Sequence, residues 1–199
     1  MTADLPELQG TRLVLRRPIP EDVETRLALG RHREIVEAYG GTFDPDATFE
    51  RGQAEAAIRF IEQQDCAWVI DAGRFIGHVR FHGKSAQDRR ANLAIGIDDP
   101  AYLGKGYGTE AIMLALGHAF GQGMHRVSLR VLSNNFRAIA CYRKCGFVEE
   151  GREREAACVN GAWHDDVIMG LLDREFAVLN EGPQSGGVGL RLDASWPAL

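Results

Sequence analysis

Between Leu103 and Ala111 the chain reads Leu-Gly-Lys-Gly-Tyr-Gly-Thr-Glu-Ala, with glycine at 104, 106 and 108. The segment follows an apolar run, Leu93-Ala94-Ile95-Gly96-Ile97, and opens a strongly helical stretch from Thr109 to Phe120. Glycines on alternate positions let the backbone curl and keep side chains out of a ligand's way. A loop of this kind running into a helix N-terminus aims unpaired N–H groups and the positive end of the helix dipole at one spot. The chemistry it suits is phosphate binding; a tight strand-to-helix turn is the plainer alternative. The spacing is not that of a P-loop, because Lys105 precedes its glycine and no Gly-Lys-Ser/Thr follows. Nor is it the dinucleotide fingerprint, since Ala111 falls out of register with Gly104 and Gly106.

A second segment runs Asn134-Asn135-Phe136-Arg137-Ala138-Ile139-Ala140-Cys141-Tyr142-Arg143-Lys144-Cys145-Gly146-Phe147. An Asn at its start can cap a helix, and Gly146 can end one in a left-handed C′ position, with Arg143 and Lys144 at the negative end of the dipole. The expectation is a short helix from Phe136 to Cys145 and a strand starting at Phe147. This segment resembles the signature Asn-x-x-Ala-Ile-x-x-Tyr-x-Lys-x-Gly-Phe of the Gcn5-related N-acetyltransferase (GNAT) superfamily. The glycine segment is similar to that superfamily's pyrophosphate loop, Gln/Arg-x-x-Gly-x-Gly/Ala, with Leu103 in place of the first letter. Its continuation through Gly106-Tyr107-Gly108-Thr109-Glu110-Ala111 looks like the ribosomal-protein N-acetyltransferase (RimJ/RimL-like) branch, as does the later stretch from Arg152 to Asp166. The resemblance covers roughly residues 10 to 178.

The resemblance implies acetyl-CoA as cosubstrate, no metal, and transfer to a primary amine by direct attack in a ternary complex. The acceptor would be a protein N-terminal α-amine or a small amine. Two neighbouring parallel strands, Leu93–Ile97 and His125–Leu132, would splay to admit the pantetheine arm. The cofactor would then meet the backbone of Ile95, Gly96 and Ile97, the loop Leu103, Gly104, Lys105, Gly106, Tyr107, Gly108 and Thr109, and the side chains of Asn135, Arg137 and Tyr142. Arg143 and Lys144 could also reach its phosphates. Tyr142 matches the tyrosine that protonates the leaving sulfur. The general base stays open. Asp98 is the first candidate, although Asp98-Asp99-Pro100 also reads as a turn; His78 and His82 have suitable intrinsic acidity. Glu34, Glu37 and Tyr39, in the irregular segment after the first helix, are the expected acceptor-binding residues. A non-catalytic acyl-CoA-binding sensor of the same fold is the alternative, and a nucleotide-binding module is a more distant one.

The elements that must position these groups give an α/β pattern: a central mixed twisted sheet flanked by helices, with the two splayed strands at its middle. Strands are expected at Leu13–Leu15, in a hairpin of Cys66–Ile70 and Phe75–Phe81, at Leu93–Ile97, at His125–Leu132, and around Phe147–Val148 and Val167–Met169. Helices are expected after Pro20, from Thr48 to Gln64 with Ala54, Ala57, Ile58 and Ile61 buried, and from Thr109 with Ala111, Ile112, Ala115, Leu116 and Ala119 inward. The 199 residues suit one domain, 1–179, followed by a Gly-rich tail, 180–199, where Leu190–Asp193 could form a short strand. Composition is that of a soluble protein, 45% hydrophobic and 26% charged. A net charge of −5 argues against a nucleic-acid partner. No apolar run reaches the roughly 18 residues of a membrane span. The first residues lack the basic and apolar regions of a signal peptide, and the four cysteines follow no disulfide framework, so a reducing cytoplasm is expected. A homodimer stays open.

Overall fold

The computed structural model describes residues 5–180. Two short strands, β1 (Leu8–Gln9) and β2 (Val14–Arg16), lead into helices α1 (Glu21–Leu29), α2 (Arg33–Ala38) and α3 (Arg51–Glu62). A meander of β3 (Ala67–Asp71), β4 (Phe75–Ser85) and β5 (Arg90–Ile97) follows, then α4 (Tyr107–Gly121), β6 (Arg126–Leu132) and α5 (Phe136–Lys144). The chain closes with the hairpin β7 (Val148–Val159) and β8 (Ala162–Leu172), and with α6 (Asp173–Asn180). The strands form one eight-stranded sheet ordered β1-β2-β3-β4-β5-β6-β8-β7. Its neighbours are antiparallel throughout except for β5 and β6, which run parallel. The expected mixed α/β sheet is therefore present.

Each face of the sheet is covered because the helices carry apolar stripes of the right period. The α4 stripe of Ala111, Ile112, Ala115, Leu116 and Ala119 is fully buried, in one cluster with Leu15, Trp68, Val79, Phe81 and Leu93. On the opposite face Ile58 and Ile61 of α3 pack with Ala67, Val69 and Phe75. The start of α3 falls at Arg51 rather than Thr48, because Gln53 Oε1 accepts the Glu50 N–H at 2.9 Å and so fixes the first turn there. At its other end the Arg17 guanidinium donates to the carbonyls of Glu62, Gln64 and Ala67.

The closing strands are much longer than the two apolar cores at Phe147–Val148 and Val167–Met169 suggested. β7 spans 12 residues and β8 11, with a register shift between Glu153 and Ala157. β7 lies at the sheet edge and exposes most of its length, so its Arg and Glu residues follow no apolar alternation. Helix α6, absent from the sequence reading, packs Phe176 against Phe120 with ring centroids 5.0 Å apart. Of the tail expected at 180–199, only Asn180, the end of α6, is described; the strand expected at Leu190–Asp193 lies outside the described residues. Among the described residues no helix is long and apolar enough to cross a membrane.

The sheet's entry into α1 is held by charge. Asp22, 2% exposed, takes both terminal nitrogens of Arg16 at 2.8 Å and the Ile19 N–H at 2.9 Å, while Arg16 Nε donates to Asp71 at 2.6 Å. Removing one partner of such a pair strands the other charge in a dry site. Asp22→Ala is expected to lower the unfolding free energy by about 3 kcal/mol, read from urea denaturation. A loss indistinguishable from an exposed ion pair's would show that water reaches Arg16 in the folded state.

Candidate active site

The parallel pairing of β5 and β6 covers only Arg90 with Arg126, Ala91 with Val127, and Asn92 with Ser128. Beyond it β5 continues along β4 as far as Ile97 opposite Gly77, and β6 continues along β8 as far as Leu132 opposite Asp166. The inner edges of Leu93–Ile97 and Leu129–Leu132 thus face each other without a ladder. A cleft of about 1130 Å³ passes through the gap. Buried backbone N–H and C=O groups need partners, so this gap is suited to a ligand rich in amides.

The glycine loop forms one wall. Gly104 and Gly106 have φ of 71° and 86°, in the left-handed region that glycine tolerates, while Gly108 already lies in the first turn of α4. No side chain caps α4, and the first bond to a helix carbonyl in this turn is from the Glu110 N–H to Gly106 O at 3.1 Å. The N–H groups ahead of it are left for a ligand. Leu103, Gly104, Gly106, Gly108 and Thr109 line the cleft, as do Ile95, Gly96 and Ile97; Lys105 and Tyr107 do not.

What shapes this loop is a clip from the start of the chain that sequence reasoning missed. Glu110 Oε1 accepts the N–H groups of Thr11 and Arg12 at 2.7 and 2.8 Å, and its Oε2 accepts Arg12 Nε at 2.7 Å. The same guanidinium donates to Lys105 O at 2.9 Å and lies 4.6 Å from the Tyr107 ring centroid. Burial pushes the Glu110 carboxyl up, but the Arg12 and Thr11 donors outweigh it and hold it below its ordinary value. The sequence offered no signal, because the partners lie 98 and 99 positions apart.

Helix α5 forms the second wall. Asn135 Oδ1 caps it by accepting the Ala138 N–H at 3.1 Å, and Asn135 Nδ2 donates to Ala38 O at 3.2 Å, tying α5 to the end of α2. Gly146, at φ 92°, ends the helix as expected. Tyr142 is buried in the cleft wall; burial, then the neighbouring Cys141 and Cys145 sulfurs, push its phenol above the ordinary value. The Cys141 sulfur sits 3.2 Å from Thr109 Oγ1. A hydrogen bond from Cys145, then those from Thr109 and the charge of Lys144, lower the Cys141 thiol against the opposing effect of burial. Among the described residues no cluster could hold a metal ion, and all four cysteines are free.

The residues expected on the acceptor side separate into two groups. Tyr39 reaches the centre: a Cβ placed on Gly96 would lie 1.3 Å from the Tyr39 hydroxyl, so the phenol occupies the space that Gly96 leaves. The residue is 53% exposed, yet its hydroxyl end is enclosed; burial, then Asp98 and Tyr142, raise the phenol well above its ordinary value. Glu34 and Glu37 lie outside the cleft wall and are already engaged. Glu34 pairs with Arg137 at 3.5 Å; Glu37 accepts from Arg33 at 3.2 Å and from Asn160, at the β7–β8 turn, at 2.8 Å.

Asp99 provides the turn, capping the short 3₁₀ segment after it through the Ala101 N–H at 2.9 Å. Asp98 instead turns its carboxylate toward Arg26, 3.8 Å from Nε, outside the cleft lining but within electrostatic reach of Tyr39 and His78. His78 pairs with Gly96 in register; its imidazole is lowered mainly by burial, with Asp98 opposing and Arg80 and Arg26 assisting. His82, four residues on, lines the cleft. The β4 facing that the sequence left open is therefore settled: His78, Arg80 and His82 alternate on the face of Gly96, Ala94 and Asn92.

Known proteins resemble this chain in sequence and in fold. A family model described as an acetyltransferase (GNAT) domain matches residues 12–148. Spermidine N(1)-acetyltransferase of Escherichia coli (strain K12) is 32% identical over 124 residues, 61% of this chain and 66% of that protein. YdaF of Bacillus subtilis (strain 168), which carries the provisional name ribosomal N-acetyltransferase, is 31% identical over 111 residues, 55% of this chain and 60% of that protein. The chain spans about half the length of the curated relatives it matches. The solved structure of spermidine N-acetyltransferase from Vibrio cholerae in complex with CoA and spermine superposes with a TM-score of 0.68 and 27% identity, over 83% of this chain and 98% of that one.

The Glu110 clip gives a pH-dependent prediction. A carboxyl held low in the folded state contributes stability above its unfolded pKa, about 4.3, and loses it as pH falls through the lower folded value. Glu110→Gln is expected to cost about 2 kcal/mol at neutral pH, with the gap to the wild type closing below about pH 4. Denaturant titrations across pH check this; a gap constant into acid would show that shape, not charge, is what the clip uses.

Proposed function

The chain belongs to the acetyltransferase (GNAT) family, and on that premise we propose that it moves an acetyl group from acetyl-CoA to a primary amine by direct attack in a ternary complex. The observation that carries this reading is the lapse of pairing after Asn92 and Ser128, which opens the sheet beside an uncapped helix N-terminus. The residues present fit acetyl-CoA. The loop from Leu103 to Thr109 suits its pyrophosphate, the free inner edge of Ile95–Ile97 its amide arm, and Arg137 and Lys144 its outer phosphates. When bound, it supplies a thioester, an acyl group already activated toward nitrogen.

The chain's own residues then have distinct tasks. Tyr142 is the proposed acid: it lies in the cleft wall, and its raised pKa keeps the phenol protonated throughout the neutral range. It donates a proton, or at least a hydrogen bond, to the departing thiolate. Tyr39 and the backbone of Gly96 position the attacking amine opposite it. Asp98 with His78 forms the proposed route by which the amine's proton leaves, through the Tyr39 hydroxyl or water. An N-terminal α-amine, with a pKa near 8, needs little help to shed it. The alternative of a sensor without turnover rests on one observation, that the Asp98 carboxylate lies outside the cleft lining.

The long β7–β8 hairpin and the likeness to YdaF support the ribosomal-protein branch, and the spermidine acetyltransferases among the relatives support a small amine. Thiol release from acetyl-CoA by the full chain is the test, with N-terminal peptides and small amines as acceptors. Tyr142→Phe is expected to lower kcat by about tenfold or more while leaving acetyl-CoA affinity within about twofold. The wild-type rate should rise with pH as the amine loses its proton, without a decline from Tyr142 ionisation below about pH 10. Saturable acetyl-CoA binding with no release for any amine would favour the sensor.

A further inference from the structure

The acceptor side of the cleft has an unbalanced positive charge. Arg80 lines the cleft, half-buried, and its guanidinium lies 5.2 Å from the Phe60 ring centroid. Among the described residues no carboxylate lies within ion-pair distance of it. Its neighbour across the gap, Arg130, is balanced by Glu153 at 3.6 Å and by the buried Asp166 at 3.4 Å. His82 also lines the cleft, lowered by burial and then by the fields of Arg80 and Arg130, so it is neutral and able to donate one hydrogen bond. Burial likewise lowers the Arg80 guanidinium, consistent with a cation taken from water without a counter-ion.

The register locates this charge relative to the chemistry. Arg80 pairs with Ala94 and His78 with Gly96, so Arg80 projects on the same face as Gly96, two residues along the strand, or about 7 Å away. Gly96 is where the Tyr39 hydroxyl sits, and the acetyl-transfer reading puts the attacking amine there. A second ammonium on the acceptor, as in a polyamine, would meet the guanidinium at that distance. An anion there would be held by a planar two-pronged donor, with His82 beside it.

We propose that the acceptor is an amine that carries a carboxylate a few bonds away, with Arg80 as the residue that selects it. The inference rests on the acetyl-transfer reading and narrows its acceptor. The carboxylate could belong to a free amino acid, next to its α-amine, or to an acidic first residue of a peptide. Charge recognition of this kind does not extend to spermidine, although spermidine acetyltransferases are among the relatives.

Calorimetry on the full-length protein saturated with CoA separates acceptor binding from turnover. Glutamate and methionine would be compared with their α-amides, and Asp-initiated peptide amides with Asn-initiated ones; spermidine is the cationic control. One carboxylate-bearing set is expected to bind about tenfold or more tightly than its amide counterpart. The preference should vanish in Arg80→Ala and return in part in Arg80→Lys, with unchanged CoA affinity reporting an intact fold. Preference among the free amino acids identifies the α-carboxylate; preference among the peptides identifies the side chain. Equal binding of carboxylate and amide, or tighter binding of spermidine, overturns the proposal. Discrimination without acetyl transfer would keep the anion site and overturn the catalytic reading instead.

Discussion

The architecture depends on a backbone obligation left unmet. Strands β5 and β6 share only three paired positions before they part, and each stays fully bonded to its outer neighbour. The gap is therefore a rigid feature of the sheet, because closing it would require moving β4 or β8 as well. The proposed site is arranged around it: the glycine loop at one rim, α5 at the other, and Tyr39 at the face of Gly96. A parallel pair makes such an opening possible, since no hairpin turn forces the two strand ends together.

Glycine makes the middle of the gap approachable. A Cβ on Gly77 would lie 1.9 Å from Gly96 O, and one on Gly96 would collide with the Tyr39 hydroxyl. The two neighbouring strands thus come close enough at this point to exclude side chains, and Tyr39 takes up the room on one face. That packing encloses a polar group, and Tyr39 there feels both Asp98 and Tyr142, while Asp98 also acts on His78.

Much of this was legible in the residues. The α4 stripe could be read because a 3.6-residue period needs only local spacing. The caps of α5 could be read because Asn135 and Gly146 act within their own turns. The positions of the splayed strands followed from apolar runs flanking a recognisable loop. The rest depended on contacts between distant segments. β7 hides in sequence because an exposed edge strand has no inward face to pattern. Glu34 and Glu37 read as free acids, yet their partners Arg137 and Asn160 come from elements more than a hundred positions later. Nothing local says that Arg80 lacks a carboxylate, since that is a property of the folded cleft rather than of any segment.

The clip joining Glu110 to Thr11 and Arg12 bears on how the molecule is made. Synthesis delivers the first half of that contact early and the second only after β3, β4 and β5 have been built. Until then the N-terminal strands can pair with β3, but the glycine loop has no template. The loop acquires its shape as a late, long-range closure, entropically the more demanding kind. A nascent chain therefore builds β1 to β5 before its glycine loop can be clipped into shape, which ties the loop's geometry to the emergence of α4 from the ribosome.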